Sequence, residues 1–224
     1  MSTPELSATA QDYVKVVWNA GEWSDAPVTT TQLANRIGVA PSTVSETVRR
    51  LSDQGLLEHA PYGAVTLTAR GHQHALAIVR KHRLIETYLV EMLGYRWDEV
   101  HDEAEVLEHA CSARMIDAMD AALGHPTRDP HGDPIPGPDG VVPSPAATVL
   151  AQAQPGQWRI ARISDADPAL LRHLTDVGLT LDVEVHVLPR QKYDDGVRLE
   201  RPGGDQPLSL GAAVAQALWL VPKN

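Results

Sequence analysis

One stretch of the sequence constrains the fold more than any other, because its helix-breaking residues leave room only for short elements. Residues 29–59 read TTTQLANRIGVAPSTVSETVRRLSDQGLLEH. A threonine cap opens a first helix that Gly38 ends, and Pro41 opens a second helix that Gly55 ends. The apolar residues that face inward recur at helical spacing: Leu33, Ala34, Ile37, Val44, Val48 and Leu51. The pattern predicts a helix-turn-helix.

Two β-like runs follow the second helix. They occupy Leu56–His59 and Ala64–Thr68, and the turn-forming sequence APYG at residues 60–63 joins them. Helical spacing also predicts a preceding helix over residues 6–19. A helix-turn-helix followed by a β-hairpin is the winged-helix pattern, which we expect over residues 1–75.

The second helix of this pattern has the surface of a recognition helix. Its first turns carry small polar residues that suit base edges, and arginines that suit phosphates follow. The residues expected to contact DNA are Ser42, Thr43, Ser45, Glu46, Arg49, Arg50 and Arg36, with Lys15 and Arg70 as further phosphate contacts. Residues 1–75 nevertheless contain seven acids and only five lysines and arginines. Tight DNA binding would therefore need a dimer, a metal ion or both, and a winged helix that contacts only proteins is the alternative.

Composition excludes several classes of protein. The formal net charge of −10 argues against a generic polyanion binder. The single cysteine, Cys111, excludes an intramolecular disulfide framework and fits a reducing cytosol, so a cytoplasmic protein is expected. The sequence begins MSTPELSATAQD, which lacks the features of a signal peptide, and it contains no apolar run of about 18 residues that would predict a membrane span.

The rest of the chain predicts helices first and strands later. Helical periodicity covers His72–Leu93, Trp97–Cys111 and Ala113–Leu123, whereas residues 125–145, dense in proline, glycine and aspartate, predict a loop. From Gly156 onward the hydrophobic period becomes that of short strands. We therefore expect a mainly α protein with small β, made of an N-terminal winged helix-turn-helix (1–75), a helical domain (76–145) and a C-terminal SH3-like β-barrel (146–224).

Titratable residues are unusually dense at residues 100–110, which read VHDEAEVLEHA. On a helix with about 100° per residue, four of the six titratable groups share one face about 100° wide. These four are His101, Glu105, Glu108 and His109. Asp102 and Glu103 point elsewhere, where the helix dipole favours acids near the N-terminus. His82 and Glu86, four residues apart on the preceding helix, also share a face.

Three interpretations of these groups compete. A solvated helix face is the simplest, but matched histidine and glutamate faces on two helices favour a metal site, because buried carboxylates would repel one another without a cation. A ligand set without thiolates suits Mn²⁺ or Fe²⁺ better than a structural zinc. The pair His101-Asp102 resembles the dipeptide of HD-type metal phosphohydrolases. No second matching set appears, however, and Asp102 points away from the shared face, so we expect no enzyme.

The order of motifs resembles that of the diphtheria toxin repressor family of metal-dependent transcription regulators. The motifs are the winged helix, HRLIE, VHDEAEVLEHA, RDPHGDPIP and the small β-barrel, and they cover nearly the whole chain. Members of that family bind Fe²⁺ or Mn²⁺, dimerise through the central helices and bind operators of metal-uptake genes. The resemblance therefore implies that residues 76–145 form a metal-binding and dimerisation domain and that residues 146–224 form an SH3-like domain of the FeoA type.

The resemblance also implies two metal sites. The primary set is Asp12, His82, Glu105, Glu108 and His109. The secondary set is Glu86, His101, Asp129 and His131, with Asp165 or Asp167 from the barrel; a helix N-cap is the alternative role of Asp167. The iron-responsive branch typically has methionine at the position of Asp12 and cysteine at that of Glu105. Oxygen ligands at both positions resemble the manganese-transport regulator branch and favour the harder Mn²⁺.

The predicted function is that of a Mn²⁺-dependent repressor that binds double-stranded operator DNA as a metal-loaded homodimer. Fe²⁺ is the alternative cofactor, and other divalent metals such as Co²⁺ or Zn²⁺ are expected to substitute in vitro. We expect no membrane partner and no small organic ligand. Two alternatives stay open: an iron(II)-dependent repressor of the same family, and a metal-binding protein that uses this fold without binding DNA.

Overall fold

The computed structural model describes residues 6–24, 26–60, 63–143, 146–191, 196–204 and 206–223. Contacts between residues divide the chain into two units. Unit 1 runs to His82 and also includes Pro136–Val141, and unit 2 comprises Arg83–Ile135 together with the chain from Val142 onward. The domain boundaries expected at residues 75 and 145 stay predictions.

Unit 1 contains the winged helix. Its elements are α1 (Ala8–Glu22), α2 (Thr30–Ile37), α3 (Pro41–Asp53), β1 (Leu57–His59), β2 (Val65–Leu67) and the first part of α4 (Ala69–Leu93). The two strands pair antiparallel, with Leu57 opposite Leu67. Pro61 and Tyr62 of the predicted hairpin turn lie outside the described residues. The predicted order of helices and strands is confirmed.

The ends of α2 follow directly from the sequence. The Thr29 hydroxyl accepts a hydrogen bond from the backbone N–H of Gln32 at 3.2 Å, and the Gln32 side chain accepts one from the backbone N–H of Thr29 at 2.8 Å. This capping box satisfies two N–H groups that the helix itself leaves open. Gly38 ends the helix with a φ of +75°, a conformation that favours glycine. The core of unit 1 includes the fully buried Val14, Leu33, Val44, Val48 and Leu56.

Helix α4 begins earlier than the sequence predicts. The prediction placed Gly71 just before a helix that starts at His72, but α4 begins at Ala69 and includes Gly71. A Cβ atom at Gly71 would lie 2.0 Å from the carbonyl oxygen of Leu56. Gly71 therefore allows the helix backbone to approach the segment that leads into β1, and it does not break the helix.

Unit 2 begins with the rest of α4 and continues with α5 (Val100–Ala110) and α6 (Ala113–Ala122). The prediction began α5 at Trp97, but the residues before Val100 form a turn. Asp98 in this turn is buried and accepts hydrogen bonds from Arg96 at 2.9 Å and from Arg172 at 3.1 Å. The helices enclose a core of Leu84, Ile85, Leu89, Val100, Ala104, Cys111, Ile116, Met119 and Ile135.

The C-terminal part of unit 2 is a small antiparallel sheet with two helices. Its strands are β3 (Thr148–Val149), β4 (Gly156–Ile163), β5 (Glu184–Val187), β6 (Val197–Glu200), β7 (Leu208–Leu210) and β8 (Leu218–Pro222), and its helices are α7 (Pro168–Asp176) and α8 (Ala212–Gln216). A 3-10 turn at Leu150–Gln152 follows β3. Among the described residues the strand order is β3-β8-β4-β5-β6-β7, an open sheet where a closed barrel was predicted. Its core includes Ile160, Ile163, Leu174, Leu179, Val187, Leu199 and Leu220.

The longest described helix is α4, with 25 residues. Charged side chains recur along its sequence, ARGHQHALAIVRKHRLIETYLVEML. In the described part of the chain, no helix is both long enough and apolar enough to cross a lipid bilayer.

Candidate metal and DNA-binding sites

On helix α3, the residues predicted to contact DNA lie on the solvent-exposed face. The exposed residues are Ser42, Thr43, Ser45, Glu46, Arg49 and Arg50, together with Arg36 on α2. Arg70 donates a hydrogen bond to the carbonyl oxygen of Gln54 at 3.0 Å, which places its guanidinium at the end of α3. The prediction that Lys15 contacts phosphate is wrong, because only 4% of this residue is exposed.

The proline-rich segment after α6 contains a closed turn, Asp129–Asp133. One oxygen of Asp129, Oδ1, accepts hydrogen bonds from the backbone N–H groups of His131 at 2.8 Å and Asp133 at 2.9 Å. The Asp129 N–H in turn donates to the carbonyl oxygen of Asp133 at 3.0 Å. Gly132 has a φ of +91°, and a Cβ atom there would lie 2.1 Å from the carbonyl oxygen of Ala161 on β4. The turn therefore lies directly against the sheet.

His131, in the middle of this turn, has defined surroundings at both ring nitrogens. Nε2 lies 2.7 Å from the carbonyl oxygen of Trp97, and because a carbonyl only accepts, Nε2 carries the hydrogen. The imidazole also stacks on the Trp97 indole, with ring centroids 5.8 Å apart. Nδ1 is buried and makes no hydrogen bond to any residue that the structure describes. In the neutral ring, Nδ1 therefore holds a lone pair that suits a metal ion.

Two carboxylates lie near this nitrogen. One ligand atom each from Glu86, His131 and Asp165 lies within 4.8 Å of the other two, and we call these three residues the ligand triad. Glu86 comes from α4 and is almost fully buried, and Asp165 follows the end of β4. An imidazole and two carboxylates without a thiolate suit Mn²⁺ or Fe²⁺. The buried Glu86 and the half-buried Asp165, together with the lone pair of His131, fit a divalent metal ion.

His101 lies beside the same carboxylates. Its Nδ1 is 3.3 Å from Asp165 Oδ2 and 3.4 Å from Glu86 Oε1, and its Nε2 is 3.5 Å from Glu105 Oε1. Hydrogen bonds with Asp165 and Glu86 raise the pKa of His101 to about 10. Burial opposes the ionisation of Asp165, but the bond to His101 outweighs it and lowers the pKa of Asp165 to about 2. His101 is therefore a cation at neutral pH and partly balances the acids around it.

Two predicted ligands make other contacts and are not members of the triad. Asp129 uses Oδ1 for the backbone of its own turn, and Oδ2 faces Arg83 Nε at 3.7 Å. Burial, with a further contribution from Asp133, raises the pKa of Asp129 to about 8. Asp167 accepts a hydrogen bond from the backbone N–H of Ala169 at 2.8 Å and caps α7. The structure therefore gives Asp129 a role in shaping the turn and Asp167 the role of an N-cap.

The primary set of predicted ligands is divided between the two units. Asp12 on α1 and His82 on α4 belong to unit 1, and the other three members lie on α5 in unit 2. Of these three, Glu108 is fully buried and its Oε1 lies 3.6 Å from His109 Nε2, while Glu105 is half-buried. Their assembly around one ion stays a prediction.

Several buried polar residues near the triad were not predicted. Arg83 and Asp133 stand inside the motifs HRLIE and RDPHGDPIP. Because these motifs also contain predicted ligands, the sequence could have indicated that both residues lie near the metal site. Arg162 is also buried, but nothing in the strand pattern marks it. The contact of His125, whose Nδ1 lies 2.9 Å from Asp120 Oδ2, was not predicted either.

Three family models match the chain, and together they span most of it. They are described as "Iron dependent repressor, N-terminal DNA binding domain" (residues 5–65), "Iron dependent repressor, metal binding and dimerisation domain" (residues 68–137) and "FeoA domain" (residues 148–222). Their order along the chain is the one that the sequence motifs predict.

Two curated relatives span most of the chain. The iron-dependent repressor IdeR of Mycobacterium tuberculosis is 33% identical over 196 residues, which cover 82% of this chain and 85% of IdeR. The diphtheria toxin repressor of Corynebacterium diphtheriae is 29% identical over 215 residues, 91% of this chain and 93% of that protein.

Solved structures with the same fold include manganese-dependent regulators. A manganese-dependent transcriptional repressor in complex with manganese is 54% identical, with a TM-score of 0.90, and the match covers 95% of this chain and 99% of that one. The manganese regulator SloR is 30% identical, with a TM-score of 0.81, over 99% of this chain and 100% of that one. The chain therefore belongs to the diphtheria toxin repressor family of metal-dependent transcription regulators.

Proposed function

We propose that this chain is a Mn²⁺-dependent transcriptional repressor that binds operator DNA as a metal-loaded homodimer and controls metal-uptake genes. The observation that carries the proposal is the ligand triad, Glu86, His131 and Asp165, whose oxygen and nitrogen donors suit Mn²⁺. Similarity to a solved manganese-dependent repressor in complex with manganese supports the choice of metal. An operator-binding protein works where the DNA is, so we place it in the cytoplasm.

Two ions are proposed for each chain. One is held by the primary set, Asp12, His82, Glu105, Glu108 and His109. The other is held by the ligand triad, with His101 beside it. For the second ion, support comes from the lone pair of His131 and from the carboxylate oxygens of Glu86 and Asp165 that lie within 4.8 Å of it. For the first, support comes from the burial of Glu108 on α5 and from the family resemblance.

The proposed ions act on DNA binding through charge and through the placement of the recognition helices. Asp12 belongs to the same unit as α3, and an ion held by the primary set would restrict the positions that the winged helix samples. Binding of the metal also neutralises carboxylates that repel DNA phosphates. If metal and DNA favour the same arrangement, each tightens the other's binding by the same factor.

A dimer is part of the proposal because one recognition helix reads only half of a palindromic site. Two such helices must reach successive major grooves, which lie about 34–36 Å apart. Large apolar side chains remain exposed near the end of α4 and on α5, with Met92 51%, Leu93 58% and Val106 68% exposed. Apolar side chains exposed to this extent suit contact with a second copy of the chain.

The experiment that tests this function is selection of duplexes from a random pool by the full chain, with and without Mn²⁺. We expect a palindromic sequence to be enriched only with Mn²⁺, and footprinting to show protection of both half-sites. Enrichment of the same sequence without any metal would contradict metal dependence. The absence of any enriched sequence would favour a metal-binding protein that does not bind DNA.

Fe²⁺ is the second candidate for the activating ion, because the curated relatives include iron-dependent repressors. Solved structures of the related ScaR hold Zn²⁺ in one case and Cd²⁺ in another, so binding alone does not identify the physiological metal. DNA binding measured across a range of free Mn²⁺ and Fe²⁺ concentrations under anaerobic conditions separates the two. A lower activating concentration for Fe²⁺ than for Mn²⁺ would favour the iron-dependent function.

A further inference from the structure

We propose that Arg83, Asp133 and Arg162 are positioning residues for the ligand triad. The inference rests on the metal site proposed above and concerns residues that are not members of the triad. Through their mutual contacts they hold the turn Asp129–Asp133 against β4, and they thereby fix His131 relative to the two carboxylates.

The centre of this network is the carboxylate of Asp133. Its Oδ1 accepts a hydrogen bond from Arg162 Nε at 2.6 Å and lies 3.6 Å from Arg83 Nη2. All three side chains are buried, so the contacts are little screened by water. One carboxylate thus connects α4, which carries Glu86, to β4, which leads to Asp165. Asp133 belongs to the turn that carries His131. Because its carboxylate contacts both α4 and β4, it sets the spacing of all three ligands.

A backbone hydrogen bond also holds the turn Asp129–Asp133 against β4. The Ile163 N–H donates to the carbonyl oxygen of His131 at 2.9 Å. Arg162 stands where the pairing of β4 with β8 shifts register, and its guanidinium lies 4.1 Å from the centre of the Trp219 ring. The indole limits where that guanidinium can lie, and the guanidinium in turn fixes Asp133.

The arginines also determine which acids are left for the ion. Arg83 Nε lies 3.7 Å from Asp129 Oδ2, and Arg83 Nη1 donates to the carbonyl oxygen of Pro134 at 2.6 Å. The acids of the turn, Asp129 and Asp133, thereby have positive partners within the protein. Among the described residues, Glu86 and Asp165 then offer the carboxylate oxygens that group with His131.

The test is a double-mutant cycle between Asp133→Asn and His131→Ala in the full chain, followed by Mn²⁺ titration calorimetry after removal of metal with a chelator. Asp133→Asn keeps the shape of the side chain but removes its charge. We expect it to lower the affinity for the Mn²⁺ ion that His131 binds by about 10-fold to 100-fold, the effect typical of residues that orient ligands. In the His131→Ala background the same change should have little further effect, because the ligand that it positions is gone.

The matched control is Asp182→Asn. Asp182 also bridges two arginines, Arg128 and Arg159, but its side chain is 43% exposed, and exposed pairs contribute little. Mn²⁺ affinity should be unchanged in this variant. Thermal unfolding of every variant without metal measures its general loss of stability, and such a loss alone would lower Mn²⁺ affinity equally in both backgrounds.

Each outcome distinguishes this inference from the proposed function. If His131→Ala binds Mn²⁺ like the wild type, the metal site itself is wrong and the inference fails with it. If His131→Ala weakens binding but Asp133→Asn does not, or does so equally in both backgrounds, only the positioning role is wrong. Should Asp133→Asn not fold, Arg162→Lys replaces it, because lysine keeps the charge but lacks the fixed fork of the guanidinium. Wild-type Mn²⁺ affinity in Arg162→Lys would overturn the inference.

Discussion

At the scale of single residues, the donor atom at position 105 is predicted to decide which metal ion the protein prefers. Glu105 is half-buried on α5. Since carboxylates prefer hard ions and thiolates softer ones, we expect Glu105→Cys to shift the response from Mn²⁺ toward Fe²⁺ and Co²⁺. The change in preference should be about tenfold or more. DNA binding measured with each ion in turn checks it.

Glu105→Asp is the control for that substitution because it keeps an oxygen donor. It should retain the preference for Mn²⁺ even where overall affinity falls. An unchanged ratio of Mn²⁺ to Fe²⁺ response in the cysteine variant would mean that donor softness at this position does not select the metal.

Asp98 supplies a prediction about pH. Burial opposes the ionisation of Asp98, but hydrogen bonds from Arg96 and Arg172 outweigh it and lower its pKa. A pKa lower in the folded than in the unfolded protein means that the ionised group stabilises the fold above about pH 4, and that this contribution disappears as pH falls through the folded-state pKa. We expect Asp98→Asn to lower the Tm at pH 7 by about 2–4 °C.

The same difference in Tm should shrink when calorimetric scans are repeated at lower pH. Both arginines are more than half exposed, with side-chain exposures of 61% for Arg96 and 51% for Arg172, which is why the expected effect is small. A difference that is constant from pH 7 to pH 3 would show that the charge of Asp98 is not what stabilises the turn.

The residues of the ligand triad were predictable to different extents. Glu86 and His131 follow from motifs, and both lie in the triad. The sequence offered a second role, that of helix N-cap, for Asp167 alone, and the structure was needed to show that Asp165 lies beside Glu86 and His131. The Trp97 carbonyl that fixes the hydrogen on His131 belongs to the backbone, and no side-chain pattern reports it.

At the scale of elements, close packing of α4 against the start of the wing leads to a further prediction. A Cβ atom at Gly71 would lie 2.0 Å from the carbonyl oxygen of Leu56, and two backbones must separate to admit it. We expect Gly71→Ala to lower the free energy of unfolding by about 1–3 kcal/mol, the usual cost of overpacking. Urea denaturation followed by circular dichroism measures it.

Gly21→Ala is the matched control, since Gly21 lies in α1 and nothing would lie within 4 Å of its new Cβ atom. Alanine stabilises a helix more than glycine does, so this variant should be as stable as the wild type or more stable. Equal stability of Gly71→Ala and the wild type would contradict the packing described for α4.

The elements differ in how well the sequence predicted them, for physical reasons. The start of α3 at Pro41 was predicted correctly because proline favours the first position of a helix. The start of α5 was predicted three residues too early, because the turn before it depends partly on a bond between Asp98 and a residue far along the chain, Arg172. Strand β3 was not predicted, since two residues carry no periodic pattern.

At the scale of the whole molecule, Asp12 connects metal binding to DNA binding in the proposed mechanism. We expect Asp12→Ala to weaken Mn²⁺-dependent DNA binding by at least about tenfold while the dimer persists. Anisotropy with a selected duplex measures the first effect and analytical ultracentrifugation the second. Dissociation of Asp12→Ala into monomers would mean that Asp12 supports assembly and does not bind the ion.

Acidity of the whole chain makes the metal requirement physically reasonable. A formal net charge of −10 repels DNA, and bound divalent ions reduce it where carboxylates cluster. We expect weak, strongly salt-dependent DNA binding without metal. With saturating Mn²⁺, binding should be tighter by a factor equal to that by which the duplex tightens Mn²⁺ binding.

The most direct test of the central claim is a fluorescence anisotropy titration of a labelled, selected duplex with chelator-stripped protein, carried out with and without Mn²⁺ at one fixed salt concentration. The proposed mechanism predicts saturable binding with Mn²⁺ and at least a tenfold weaker interaction without it, within the range typical of coupling between two ligands. Equal Kd values in the two titrations would contradict a metal-dependent repressor.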